Sequence, residues 1–563
     1  MSKPQRTYLP RELKIDFETL QSFYEELSKR DIHHVKELEQ WLRDRSELEA
    51  ALEEDFAWRY IKMTCDTENE ALRKDFEYFA TEIEPKLAPY NDQLNRKLQD
   101  SPFRELLNTE KYFVYLRAVE QEINLFREEN IPLLSELQVK QQQYGAVTGA
   151  MTVTVNDKEY TLPQAANFLK DNRRPLRQEV FEKVGERRLE DSQKLDTLFD
   201  SLLELRHQVA LNAGFENYRD YAFAAMGRFD YTPEDCFRFH EAIEKENVPL
   251  LKREAEKRRK ALSVDALKPW DMDVDTSGKP ALKPFRGSGE LTDKSISCFN
   301  QLDPYFGQCL RTMKERGLLD LESRKGKAPG GYNYPLSETG MPFIFMNAAD
   351  SMRDLTTMVH EGGHAVHTFL TAGLELNAFR HLTPEIAELA SMSMELLSMQ
   401  YWDDFFSSED DLLRARNEQL HDVLKTLPWV ATIDAFQHWL YTHPGHTAEQ
   451  RRKAWLEQFE RFGAGFSDWT GLDTMKANLW QKQLHLFEVP FYYIEYGIAQ
   501  LGAIAVWKNF RNDAGEAIRQ YKEALQLGYT QPIPEMYRTA GIRFDFSTGY
   551  IRSLAAFISE ELA

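Results

Sequence analysis

Thr356-Thr357-Met358-Val359-His360-Glu361-Gly362-Gly363-His364-Ala365-Val366-His367 is the stretch on which the reading of this chain turns. Met358, Val359, Ala365, Val366, Phe369 and Leu370 surround the polar residues with apolar ones at helical spacing, which predicts a buried helix. On a helix, His360 and His364 stand about 40° apart in azimuth and about 6 Å apart along the axis. Each can then offer one ring nitrogen to a single ion. Glu361 lies about 100° round from His360, too far to share that ion comfortably and near enough to reach a water beside it. Two histidines and a glutamate inside an apolar helix are costly unless paired or metal-bound. Neutral imidazoles suit zinc, and a pair of them leaves room for a third ligand and a water. Gly362 and Gly363 each cost a helix up to about 1 kcal/mol. Their presence predicts that another segment approaches this helix's backbone closely. The plainer alternative, a surface helix with incidental histidines, fits poorly with the apolar flanks.

Downstream, Thr383-Pro384-Glu385-Ile386-Ala387-Glu388-Leu389-Ala390-Ser391-Met392-Ser393-Met394-Glu395 reads as a second buried helix. Thr383 is the expected N-cap and Pro384 the first helical residue. Glu385, Glu388, Met392 and Glu395 share one face, and a buried acidic face calls for a cation. Glu388 and Glu385 are the candidates for the third ligand, and spacing does not choose between them. Glu385 also fits a plain role near the positive end of the helix dipole. Glu395, two turns on from Glu388, is placed to orient an imidazole. The long metzincin motif needs Gly at 367 and His at 370, and His367 and Leu370 exclude it. His367 is expected beside the site and not as a ligand, because a working zinc keeps an open position.

Outward from these helices, residues 15–145 read as successive helices rich in Glu, Lys, Leu, Gln and Arg. Leu20, Phe23, Tyr24 and Leu27 predict one buried stripe. Pro85, Pro89 and Pro132 are expected breaks. The run Glu37 to Glu54 is too short for several heptads and reads as a bundle helix. Met151 to Val155, Asn156-Asp157 and Lys158 to Leu162 read as a small hairpin. An irregular, glycine-rich stretch from Pro269 to about Ala349 contains the apolar run Phe343-Ile344-Phe345-Met346, a candidate strand. The remainder reads as helix. The expected fold is mainly α with a small β element, with a helical lobe over 1–162 and a catalytic domain over 163–563.

The 563 residues include 91 acidic and 70 basic ones, a formal charge of −21. That balance argues against nucleic acid and anionic membranes as partners. No apolar run approaches the roughly 18 residues of a membrane helix. Cys65, Cys236, Cys298 and Cys309 form no C-x-x-C pair, so zinc-knuckle and redox motifs are absent. The first residues lack the apolar core of a secretory signal. The expectation is a cytoplasmic protein.

With H-E-x-G-H at His360 to His364 and E-x6-E at Glu388 and Glu395, the chain resembles the thimet oligopeptidase / oligoendopeptidase F family of zinc metallopeptidases. It is most similar to the oligoendopeptidase F and Pz-peptidase branch. Gly326-Lys327-Ala328-Pro329-Gly330-Gly331-Tyr332 looks like the family's G-K-x-x-G-G-Y loop. Arg228 to Glu234 and Phe436-Gln437-His438-Trp439-Leu440-Tyr441 also match its pattern. The resemblance implies one zinc per chain held by His360, His364 and Glu388, with Glu361 as general base. It implies a two-lobed helical body with a deep channel for short peptides, proline-containing collagen-like ones among them. It implies that Gly330, Gly331, Tyr332, Phe343, Ile344 and Phe345 contact substrate, with Phe343 to Met346 as an edge strand that pairs with it. His485 with Tyr492 or Tyr496 would stabilise the oxyanion. The thimet branch has Gly-Gly-Tyr after this histidine, whereas Glu488-Val489-Pro490 stands here and fits the P-F-Y-x-x-x-Y version of oligoendopeptidase F. Packing aromatics at helical spacing are the other reading of the two tyrosines. The rival functions are a zinc metallocarboxypeptidase and a scaffold with purely structural zinc.

Overall fold

In the computed structural model of this chain the described residues are 6–328, 330–463 and 466–562, so Pro329 of the glycine-rich loop lies outside them. Helices dominate, with a two-stranded and a three-stranded sheet among the described residues. The fold is mainly α. No helix among these residues is long and apolar enough to cross a membrane.

The chain forms two compact units, each assembled from three stretches. The first comprises Met1–Ile131, Lys283–Arg416 and Ala499–Phe544. Its N-terminal helices bury Leu20, Tyr24 and Leu27 from Phe17–Lys29 and Leu38, Trp41 and Leu42 from Val35–Cys65. These side chains share one core with Leu376 and Phe379, so the N-terminal helices belong to the same unit as His360. The helix Glu84–Gln99 carries Pro85 in its first turn, where no amide hydrogen is needed, and holds Pro89 inside it. The irregularity comes earlier, as a π turn over Phe79–Ile83.

The same unit contains β3 (Leu319–Glu322), β4 (Tyr332–Leu336) and β5 (Met341–Ala348), in the order β3-β5-β4. β5 pairs parallel with β3, Leu319 opposite Ile344, and antiparallel with β4, Tyr332 opposite Phe345. This corrects the expected edge strand. Phe343, Ile344 and Phe345 are buried in the middle of the sheet with both ladders taken, and cannot pair with a peptide. The apolar run is explained by burial on both faces. Among the described residues β4 pairs only with β5, so an outer edge belongs to the strand that carries Tyr332.

The second unit comprises Pro132–Leu282, Asn417–Ile498 and Asp545–Ala563. It contains the hairpin of β1 (Thr152–Val155) and β2 (Lys158–Thr161), turned by Asn156 and Asp157 with φ of 49° and 61°. Both residues tolerate this left-handed region better than most.

Candidate active site

The two site helices start for local reasons. Met352–Thr371 is capped by Ser351, whose hydroxyl accepts from the Asp354 amide while the Asp354 carboxylate accepts from the Ser351 amide. Pro384–Ser398 begins at Thr383 as expected, but the Thr383 side chain makes no capping bond, and the start rests on Pro384 with its preset φ. The helices cross at the glycine step. A Cβ on Gly363 would lie 2.7 Å from Ser391 Cα and 2.8 Å from the Ala390 carbonyl oxygen, and one on Gly362 would lie 2.7 Å from the Phe299 ring. Glycine therefore permits the contact that brings histidines and glutamates together.

One donor atom each from His360, His364 and Glu388 lie within 4.8 Å of one another. Glu388 Oε2 is 3.4 Å from His360 Nε2 and 3.8 Å from His364 Nε2, and it accepts a 3.0 Å hydrogen bond from Ser391. Glu395 Oε1 stands 2.6 Å from His360 Nδ1, which donates to it and leaves Nε2 facing Glu388. His360 is thus fixed from behind, as metal-binding histidines usually are. Glu385 is buried in the first turn of its helix and is not part of this converging group.

Burial opposes charge on His360, yet hydrogen bonds to Glu388 and Glu395 outweigh it and raise its pKa well above the ordinary value. Burial would raise Glu388, but its histidine neighbours bring it down to about 2. His364 is pushed down to about 4 by burial. Glu361 is buried beside them and pushed up to about 7, chiefly by desolvation, while the Asn333 amide on β4 opposes the shift. His367 is fully buried and pushed down to about 3, a neutral packing residue and not a ligand. An ionised carboxylate facing two imidazole nitrogens in a buried cleft between helices fits a divalent zinc ion.

The glycine-rich loop leads into β4. Lys327 is buried and donates to Asp320 and to the Asp320, Glu322 and Met346 carbonyls, which ties the loop to β3 and β5. Gly330 has φ 101°, open only to glycine, and both Gly330 and Gly331 are exposed. Tyr332 stacks on Phe345 at 4.7 Å, and its hydroxyl meets Thr64 Oγ1 at 2.6 Å.

In the second unit, His485 is ringed by tyrosines, with centroids of Tyr493, Tyr496 and Tyr492 at 4.9, 5.7 and 6.0 Å. Tyr496 Oη is 3.5 Å from His485 Nε2. Trp429 Nε1 donates to Gln483 Oε1, so the Gln483 amide nitrogen faces His485 and donates to Nδ1 at 2.8 Å. A filled Nδ1 places the proton of neutral His485 on Nε2. The helix here starts at Tyr493, so Tyr492 precedes it instead of lying on its face, although its ring stays 5.3 Å from that of Tyr496. Phe491 has φ 68°, an uncommon state for a bulky residue. Its amide donates to Gln437 Oε1, and its carbonyl accepts from Arg228, which also pairs with Glu495 at 2.8 Å. Arg206 holds the Leu486 and Phe487 carbonyls and the Tyr441 hydroxyl. Arg228 and Gln437 stand in stretches that match the family pattern without a local sign of their role, and Gln483, Trp429 and Arg206 carry no such sign either. Nothing in local spacing marks a side chain that serves a distant turn.

A model of peptidase family M3 matches residues 167–556, and one of the peptidase M3 N-terminal domain matches residues 13–126. The oligopeptidase PepF of Bacillus subtilis is 23% identical over 391 residues, 69% of this chain and 57% of PepF. An oligoendopeptidase F homolog of Borreliella burgdorferi is 23% identical over 387 residues, 66% of this chain and 62% of the relative. The match thus spans less than two thirds of the length of these relatives. The solved structure of Pz peptidase A with inhibitor 2 has a TM-score of 0.92 and 27% identity over 98% of each chain. Oligoendopeptidase-F from Enterococcus faecium shares the fold, with a TM-score of 0.65 and 15% identity over 97% of this chain and 96% of that one. With more than half of its residues matched by the family's model, the chain belongs to peptidase family M3.

Proposed function

We propose that the protein is a zinc-dependent oligoendopeptidase that hydrolyses internal bonds of short peptides. The observation that carries this reading is the convergence of His360, His364 and Glu388 beside the buried Glu361. Zinc, when bound there, supplies a Lewis acid for the scissile carbonyl and lowers the pKa of a water. Glu361 takes a proton from the attacking water on its carboxylate and passes it to the leaving amine, the role that suits a carboxylate whose proton affinity burial has raised. Glu395 keeps His360 in the tautomer whose Nε2 faces Glu388. His485, with its proton on Nε2, and the hydroxyl of Tyr496 or Tyr492 donate hydrogen bonds to the carbonyl oxygen as negative charge builds on it. Gly330, Gly331 and the outer edge of β4 at Tyr332 take the backbone of the extended substrate, in place of the buried β5. Collagen-like, proline-containing peptides are a substrate class that follows from the family resemblance.

The test is mass spectrometry of products from zinc-loaded protein given an end-blocked peptide mixture or intact casein. Internal cleavage of the blocked peptides with casein left whole is the expected result. Cleavage confined to unblocked C-termini would establish a metallocarboxypeptidase, and no cleavage by metal-loaded protein would leave the zinc structural.

A further inference from the structure

We propose a second metal site, a buried structural one for zinc or a similar thiophilic divalent ion, formed in the second unit by Cys236, Asp434 and His438. Cys236 stands four residues before His240 on the helix Pro233–Ala242, and Asp434 four before His438 on the helix Glu409–Thr442. Two pairs at one-turn spacing on separate helices repeat the logic of the catalytic motif. One donor atom each from Cys236, Asp434 and His438 lie within 4.8 Å of one another. Among the described residues only one other group of three side chains converges in this way, namely His360, His364 and Glu388. All three side chains are buried.

The polar atoms point at one another without satisfying one another. Among the described residues Asp434 Oδ1 and His438 Nδ1 make no hydrogen bond, and His438 Nε2 has only an ion-pair contact with Asp434. His438 Nε2 lies 3.3 Å from Asp434 Oδ2. His240 Nε2 holds that same oxygen at 2.9 Å and fixes the carboxylate from the other side. Buried polar atoms rarely stay unpaired, and such orphans call for an explanation. Around His438 the rings of Phe237, Phe491 and Phe223 pack at 4.8, 5.4 and 5.9 Å.

The charges balance. A thiolate and a carboxylate cancel a divalent cation, with neutral His438 as third donor and the thiol proton released to solvent. The nearby Arg228 is already neutralised by Glu495. Thiolate, imidazole and carboxylate are ordinary zinc ligands with bonds of about 2.0 to 2.3 Å, so modest rotamer adjustments close the site. Its burial leaves no place for a substrate and assigns it an architectural role. His438 follows Gln437, which holds the strained Phe491 just before Tyr492, so an ion here would stiffen the turn beneath the proposed oxyanion donors.

The test uses full-length protein produced in cobalt-supplemented medium. The catalytic group offers no sulfur, so a thiolate-to-cobalt charge-transfer band in the near ultraviolet reports on this site alone. The expected result is that band together with about two metal ions per chain. The His360→Ala/His364→Ala variant should keep the band and about one ion. Cys236→Ser should lose the band, whereas Cys65→Ser should keep it. Folded wild-type protein that carries one ion per chain, lost entirely in the double-histidine variant, and that shows no thiolate band would overturn the proposal without reliance on any cysteine variant.

Discussion

In the proposed mechanism Glu361 follows the metal ligand His360 by one residue, and that single step of about 100° turns it from a third ligand into a neighbour of the reacting water. A glutamine there keeps the volume and the helix but cannot accept a proton. Glu361→Gln should retain full metal content by elemental analysis and lose turnover by about 10³-fold, within the range of general-base catalysis. Near-normal turnover in the loaded variant would remove the base assignment. A second side chain acts at one remove. Gln483 donates to His485 Nδ1 and is itself held by Trp429, so it sets which ring nitrogen of His485 carries the proton. Gln483→Leu should lower kcat by about tenfold, less than the loss of an oxyanion donor itself, with KM and metal content little changed. Ring nitrogen shifts of His485 should report a protonated Nε2 in the wild type and a tautomer mixture in the variant. An unchanged tautomer with lowered kcat would reduce Gln483 to packing.

At the scale of elements, the crossing of Met352–Thr371 over Pro384–Ser398 sets the ligand distances. A methyl group at Gly363 meets backbone atoms of Ser391 and Ala390, which cannot swing aside. Gly363→Ala should cost about 1 to 3 kcal/mol as overpacking, and the wider crossing should weaken zinc binding because Glu388 moves off His364. At Gly145, which also lies in a helix, nothing stands within 4 Å of an added Cβ. Gly145→Ala should instead stabilise by about 0.5 to 1 kcal/mol. Denaturant melts and zinc titrations of the two variants check the contrast, and equal effects would mean that the close approach plays no part. The glycines were legible as a sign of close approach because they interrupt an otherwise good helix. The position of β5 was not legible. An apolar run of four suits any buried strand, and Leu319 to Glu322, which takes one of its edges, carries no strand signature of its own.

At the scale of the molecule, local periodicity revealed the helices and the two motifs, since a helix converts spacing into direction. It gave no access to which distant segments meet. Each compact unit draws on three stretches of chain, and Cys236 finds Asp434 and His438 only through such an assembly. The proposed zinc site has the same dependence, because its donors lie on two helices whose contact exists only in the folded unit. An unfolded chain offers no such group, so metal binding adds to folding stability by RT ln(1 + [L]/Kd), about 4 kcal/mol at a thousandfold excess over Kd. Removal of the ion leaves Glu361, Glu388 and Glu395 crowded around one charged imidazole in a buried place, a poor exchange for a dication. Chelated protein should therefore melt at a lower temperature than zinc-loaded protein in calorimetry. In His364→Ala the zinc-dependent shift of the first unit's transition should shrink to near zero. Should stripped and loaded wild-type protein unfold at one temperature across a wide range of free zinc, the three donors would not act as a single site, and the hydrolytic reading would lose its foundation.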